Sequence, residues 1–279
     1  MAAKINPNGK LKGKVAVVTG ASRGIGEAIC ARLAMEGAKV VASARTAAEG
    51  ESKLSGTLRD TVDRLKKAGA EATFVKADLA QASEREKLIE EAQNAYGPID
   101  ILVNNAAITY FIPVIDFPEK RFKLMFEVQV YAPFHLSQLV LPSMIKRKSG
   151  HIVNISSPAG IDPKPPFSTR GGGGGTVYGM CKSALERFST GLASEVFQHG
   201  IAVNVVSPGL VATPGVAVHG LIREENKDRV QPIEFIAEAV YQLASGDPKT
   251  MTGRIDYAEP LLKELNLKPS VRVSLKCRT

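Results

Sequence analysis

Cysteine is scarce in this sequence. Cys30, Cys181 and Cys277 are the only three in 279 residues, too few and too scattered for a disulfide framework. Histidine is nearly as rare. His135, His151, His199 and His219 stand at no ligand spacing from one another or from a cysteine, so no metal site is expected. No window approaches the roughly 18 uninterrupted apolar residues of a spanning helix. Residues 1–14, MAAKINPNGKLKGK, are polar and lack the apolar stretch of a secretory signal. These absences lead to the expectation of a soluble cytoplasmic protein with no membrane partner.

The composition is otherwise that of a globular chain, 44% hydrophobic and 23% charged. The net charge of +8 invites a nucleic-acid reading, but its placement argues against one. Residues 1–14 carry +4 and residues 263–279 another +4, which leaves 15–262 neutral. The basic ends read as solubilising tails, and no nucleic-acid partner is expected.

Short unbroken apolar runs recur along the chain: VAVV at 15–18, KVVASA at 39–44, ATFVKA at 72–77, DILV at 100–103, HIVNI at 151–155 and IAVNVV at 201–206. Such runs suit strands buried on both faces of a parallel sheet. Between them lie segments of helical spacing at 26–36, 83–96, 122–146 and 178–198. Ser83 with Glu86 suggests a capping box, and Gly37 and Gly69 fall where helices would end. His151, just ahead of a strand, reads as a surface residue. The alternation predicts an α/β fold, a doubly wound parallel sheet with helices on both faces in a single domain. The domain spans 14–258, between a basic tail at 1–13 and an extension at 259–279. One segment breaks the rhythm: PAGIDPKPPFSTRGGGGGT at 158–176 combines prolines with five consecutive glycines and is expected to be an inserted loop.

The first strand runs into Thr19-Gly20-Ala21-Ser22-Arg23-Gly24-Ile25-Gly26, and a helix follows. Glycines let the backbone approach a pyrophosphate, and the helix N-terminus offers free N–H groups to the anion. Gly20, Ser22, Arg23, Gly24, Ile25 and Gly26 are therefore candidate cofactor residues. An acidic residue at the end of the second strand would favour NAD(H). Here the strand ends Ser43-Ala44-Arg45 with no carboxylate. Arg45 and Arg23 could clamp a 2′-phosphate, so NADP(H) is the expected cofactor.

Tyr178 and Lys182, four positions apart, share a helix face. A tyrosine with pKa near 10 is a poor acid–base group at neutral pH, and a nearby ammonium favours its phenolate. Ser157 ends the fifth strand, on the side of an open sheet where ligands bind, and its hydroxyl could polarise a carbonyl.

With these motifs in order, the chain resembles the short-chain dehydrogenase/reductase family over residues 12 to about 256. The matching residues are TGASRGIG at 19–26, Asp78-Leu79, Asn104-Asn105-Ala106-Ala107, Ser157, Tyr178 with Lys182, and Pro208-Gly209 with Thr213. The resemblance implies a Rossmann-type sheet and an oxidoreductase that interconverts a ketone or aldehyde and an alcohol. Tyr178 would be the general acid or base, Ser157 would position the carbonyl, and Lys182 would bind the nicotinamide ribose and lower the Tyr178 pKa. Asp78 and Leu79 would meet the adenine. Asn105 and Ala106 would lie along the adenosine ribose, and Pro208, Gly209, Val211 and Thr213 would flank the nicotinamide. It also implies a homodimer or homotetramer paired through the 122–146 helix and the Tyr178 helix.

Four departures stand out. Gln129 replaces the family's asparagine in the long helix, where it would serve a proton relay to the lysine. Ser157 and Tyr178 are 21 positions apart, more than is usual in the family. Ala107 replaces a glycine, and the ending after Thr252-Gly253 differs. The departures keep open an inactive NADP(H)-binding regulator, or a lyase or epimerase, as alternatives. The pocket candidates Ile108, Phe111, Pro158, Ile161, Phe167 and the stretch 214–221, within a substrate loop at 213–232, are mostly apolar. They point to a hydrophobic ketone or secondary alcohol.

Overall fold

The computed structural model describes residues 5–6, 8–167 and 174–267. The valine-rich runs form strands. β1 (Val15–Thr19) leads to α1 (Gly24–Met35), β2 (Lys39–Ala44), α2 (Leu58–Lys67), β3 (Ala72–Lys76), α3 (Ala82–Tyr96) and β4 (Ile101–Asn104). Then come α4 (Glu119–Phe126), α5 (Ala132–Arg147), β5 (Gly150–Ile155), α6 (Thr176–Val196) and β6 (Ile201–Ser207). The chain continues through β7 (Leu210–Val211), α7 (Pro214–Val218), β8 (Val230–Gln231), α8 (Ile233–Ser245), β9 (Ile255–Tyr257) and α9 (Ala258–Glu264).

Seven strands form one sheet in the order β3-β2-β1-β4-β5-β6-β9, every neighbouring pair parallel. Strand alternation sends side chains to two cores. Ala16 and Val18 of β1 pack with α1, α2 and α8 on one face, while Val15 and Val17 pack with α3, α5 and α6 on the other. This is the doubly wound Rossmann-type sheet in a single domain. The strand order reverses direction between β1 and β4, and that switch point opens a crevice at the carboxyl ends of the strands. Among the described residues, no helix is long and apolar enough to cross a membrane, and no group of three His, Cys, Asp or Glu could hold a metal ion.

Gly37 and Gly69 lie just past α1 and α2, as their positions suggest. Three local expectations are corrected. α3 starts at Ala82 with Gln81 as its N-cap and no side-chain cap, so Ser83 is already inside the helix and the capping box does not form. The expected single helix at 122–146 is α4 and α5 joined by a π-helical turn, Glu127–Tyr131. His151 lies inside β5, half-buried, with Nε2 3.0 Å from Gly246 O; burial holds its pKa below the ordinary histidine value. His151 opens the HIVNI run and pairs with Ala202 in the parallel ladder, which buries it where a surface position was expected. Beyond β9, α9 packs onto α8 and buries Leu261 and Leu262.

Candidate active site

A cleft of about 650 Å³ runs along the carboxyl ends of the strands. The turn between β1 and α1 forms one wall. Gly20 has φ of 66°, and a Cβ there would lie 2.8 Å from Ala106 Cα, so no other residue fits this crossing without displacing the backbone. Asn105 locks the crossing from the β4 side. Its Nδ2 donates to Thr19 O at 2.9 Å and Gly20 O at 3.2 Å, and its N–H to Thr19 Oγ1 at 3.0 Å. Its side chain is therefore spent on holding the turn.

Gly20, Ser22, Arg23, Gly24, Ile25, Gly26, Arg45, Asp78, Leu79, Asn105, Ala106, Pro208, Gly209, Val211 and Thr213 all line this cleft, with Ser157 and Tyr178. Thr213 Oγ1 also caps α7 by accepting from Val216 N–H at 3.3 Å. Lys182 lies behind the lining, almost fully buried, with Nζ donating to Ile155 O at 2.9 Å. Gln129 is likewise buried and stands apart from the lining: Nε2 donates to Ile108 O at 2.9 Å, while Oε1 is buried without a protein partner.

The helix α6, which carries Tyr178 and Lys182, is fixed to the sheet by a buried polar chain. Asn104 Nδ2 donates to Asn154 Oδ1 at 2.8 Å, Asn154 Nδ2 to Ser189 Oγ at 2.7 Å, and Ser189 Oγ to Leu185 O at 2.6 Å. Because α6 cannot slide, Tyr178 is held at the end of β5. There it lines the cleft together with Ser157. Lys182 Nζ sits 5.6 Å from the Tyr178 ring centre.

The electrostatics correct one expectation. In the protein alone the Tyr178 phenol is pushed above the ordinary tyrosine value; burial dominates and outweighs the opposing Ser157 hydroxyl. Burial also pushes Lys182 down to about 8, with nearby Cys181 and Glu186 opposing. The lysine faces the Ile155 carbonyl and is itself costly to charge, so it does not depress the phenol by itself.

The donor set suits a dinucleotide. The glycine crossing leaves room for a pyrophosphate at the N-terminus of α1. In the turn between β1 and α1, Arg23 donates to two neutral oxygens, Ser52 Oγ at 3.3 Å and Gly56 O at 2.8 Å. Burial and the neighbouring charge of Arg45 both lower its pKa. Two guanidiniums lining one cleft, neither paired with a carboxylate among the described residues, make a fitting berth for an anion. The residues present fit the group.

Of the pocket candidates, Ile108, Phe111, Pro158 and several residues from 214–221 line the cleft. Ile161 and Phe167 do not; they are exposed. Arg170, the other charged candidate of the inserted loop, lies outside the described residues. Sequence reasoning missed Ser43, Leu54, Thr109 and Val128 as lining residues. Leu54 carried a signal in principle, a lone leucine in a polar loop.

Residues 14–220 match the short chain dehydrogenase family model. The chain belongs to the short-chain dehydrogenase/reductase family. It is an oxidoreductase of that family. It is 34% identical over 249 residues to the 3-oxoacyl-[acyl-carrier-protein] reductase FabG of Haemophilus influenzae, covering 87% of this chain and 95% of that protein. It is also 34% identical over 264 residues to the mouse hydroxysteroid dehydrogenase-like protein 2; 94% of this chain aligns but only 52% of that longer relative. A crystal structure of a metagenomic short-chain oxidoreductase in complex with NADP matches with a TM-score of 0.70 and 31% identity, over 88% of this chain and 97% of the other. Against the short-chain dehydrogenase/reductase pattern, Gln129 stands on the π-helical turn in place of asparagine.

Proposed function

We propose that this protein is an NADP(H)-dependent oxidoreductase that interconverts a hydrophobic ketone or aldehyde and its alcohol. The observation that carries the reading is the convergence of Ser157 and Tyr178 on one cleft, with Lys182 Nζ behind the Tyr178 ring. Gly20, Ser22, Gly24, Ile25 and Gly26 hold the pyrophosphate; Arg23 and Arg45 hold the 2′-phosphate; Asp78, Leu79, Asn105 and Ala106 border the adenosine. Pro208, Gly209, Val211 and Thr213 border the nicotinamide. The NADP complex of the structural neighbour supports the cofactor choice. When bound, the nicotinamide supplies or accepts the hydride.

Ser157 orients the substrate carbonyl by donating to its oxygen. Tyr178 delivers its phenolic proton to that oxygen in reduction and takes the proton back in oxidation. Its raised pKa keeps the phenol protonated, which suits the reductive direction. Lys182 holds the ribose hydroxyls. Gln129 keeps the π-helical turn tied to Ile108 O, and its buried Oε1 is an acceptor for a relay of protons toward Lys182. Phe111 stacks edge-on against Tyr178 at 5.9 Å and against His219 at 5.2 Å, so an apolar substituent meets an aromatic wall beside the reacting carbon.

The protein assembles as a homodimer or homotetramer through α5 and α6. An apolar groove of about 470 Å³ runs between them, lined by Phe134, Leu141, Pro142, Ile145, Phe188 and Leu192 among others.

The test follows the absorbance of NADPH and of NADH across cyclic, aromatic and aliphatic ketones, with Tyr178→Phe in parallel. NADPH is consumed with some of the ketones, and the variant loses turnover by about 10³-fold while NADPH binding changes by less than about twofold. A variant as fast as the wild type refutes the acid–base role. Cofactor binding without turnover in the wild type favours a binding protein.

A further inference from the structure

Lys182 and Glu186 stand four positions apart on α6, on one face of the helix. Their heads meet consecutive residues at the end of β5. Lys182 Nζ donates to Ile155 O at 2.9 Å, and Glu186 Oε1 accepts from Ser156 Oγ at 2.5 Å. An ammonium and a carboxylate are so brought to neighbouring places behind the cleft wall, of which Ser156 is a part. Glu186 itself is half-buried.

The carboxylate has a shaped seat. A Cβ on the buried Gly160 would lie 2.8 Å from Glu186 Oε1, so glycine leaves room there that another residue would fill. Ser183 Oγ, also from α6, donates to Gly160 O at 2.9 Å and straps this turn to the helix. The other titratable groups of α6 beside Lys182 are Tyr178 and Cys181. Burial pushes both up, the thiol to about 11, so both stay protonated near neutral pH. β5 and β6 end in the hydroxyls of Ser156, Ser157 and Ser207, and β9 ends in Tyr257, whose phenol is raised by burial and by the Glu186 charge. In the π-helical turn, Gln129 is neutral and Glu127 is taken up by Arg85. That leaves the Glu186 carboxylate to oppose the burial that drives Lys182 toward its neutral form.

We propose that Glu186 is a positioning residue for the reacting end of the cofactor: it is the fixed counter-charge of Lys182, held in place by Ser156. An ammonium has three hydrogens to donate. One goes to Ile155 O, and two remain for the ribose hydroxyls. The neutral amine has one fewer and lacks the charge that strengthens such bonds. Glu186 keeps the lysine in the form that grips the ribose. The proposal rests on the reading of Lys182 as the ribose ligand of an NADP(H) site.

Calorimetry of NADPH binding from pH 6 to pH 9.5 on wild type, Glu186→Gln and Glu186→Asp tests it. Glutamine keeps an acceptor for Ser156 and drops the charge; aspartate keeps the charge. Wild-type affinity falls about tenfold around a midpoint near pH 8, where Lys182 gives up its proton. In Glu186→Gln the midpoint lies about one pH unit lower. At pH 7.5 that variant binds NADPH about two- to threefold more weakly than wild type, and at pH 6 the two agree within about twofold. Glu186→Asp lies closer to wild type than to Glu186→Gln. A Glu186→Gln midpoint within about 0.3 units of wild type overturns the proposal. So does an aspartate variant displaced as far as the glutamine one, because shape and not charge would then be the cause. A wild type that does not bind NADPH, or binds it equally well from pH 6 to pH 9.5, overturns the reading of Lys182 beneath it. A pH-dependent wild type with unshifted variants overturns the counter-charge alone.

Discussion

Lys182 is the most expensive single residue of the site. Its ammonium is buried, and its pKa lies at about 8, below the ordinary lysine value. Between about pH 8 and pH 10.5 the unfolded chain holds the proton that the folded chain has released, so this group makes stability rise with pH across that window. Below about pH 8 the folded state carries the full cost of charging, about 3 kcal/mol. Lys182→Met removes that cost but leaves Ile155 O without its donor, a loss of about 1–2 kcal/mol. The variant is therefore expected to be more stable than wild type near pH 7 by about 1–2 kcal/mol, and inactive. Urea unfolding from pH 7 to pH 10.5 checks the sign: the wild type gains about 3 kcal/mol on the variant over that range. A constant difference between the two proteins would contradict the buried charge.

At the scale of elements, α1 and α8 are joined by a buried charge cluster. Arg32 Nε meets Glu238 Oε2 at 2.7 Å, Arg32 Nη1 meets Glu36 Oε1 at 2.7 Å, and the guanidinium lies 3.9 Å from the Tyr241 ring centre. The Arg32 and Glu238 side chains are only 9% and 7% exposed, so removing one strands the other in a poor solvent. Arg32→Met is expected to cost about 3 kcal/mol, read as a lower urea midpoint, with turnover per folded molecule unchanged. The cluster is 206 positions apart in sequence, and nothing local in either helix announces it. The helices themselves were legible, since α1, α3 and α6 lie within two residues of where their spacing puts them. The π-helical turn was not. Gln129, in the middle of that turn, is tied across space to Ile108 O, a partner that no local pattern names. Arg85, the bulkiest of the fully buried side chains, is of the same kind: it pairs with Glu127 at the start of that turn and with Leu79 O beside the cleft.

At the scale of the whole molecule, α5 and α6 leave their shared outer face uncovered. Phe134 is 42% exposed and Tyr131 47%, and the two rings stack at 5.9 Å. A second copy of the chain would bury this face. Phe134→Glu is expected to convert the assembly to a smaller species or a monomer, measured by light scattering, while circular dichroism stays unchanged. A wild-type monomer at micromolar concentration would remove the need for that interface.

The sequence by itself determined the alternation of strand and helix, the glycine crossing at the phosphate turn, and the pairing of Tyr178 with Lys182. These follow from short-range causes: the period of apolar residues, the conformations open to glycine, and the four-residue return of a helix face. Tertiary structure decided the rest. It raised the Tyr178 pKa and lowered that of Lys182, because desolvation depends on what surrounds a group in space. It half-buried His151, spent the Asn105 side chain on the turn, and set Leu54 at the cleft wall. Each of these outcomes depends on partners far away in sequence, and no local pattern records them.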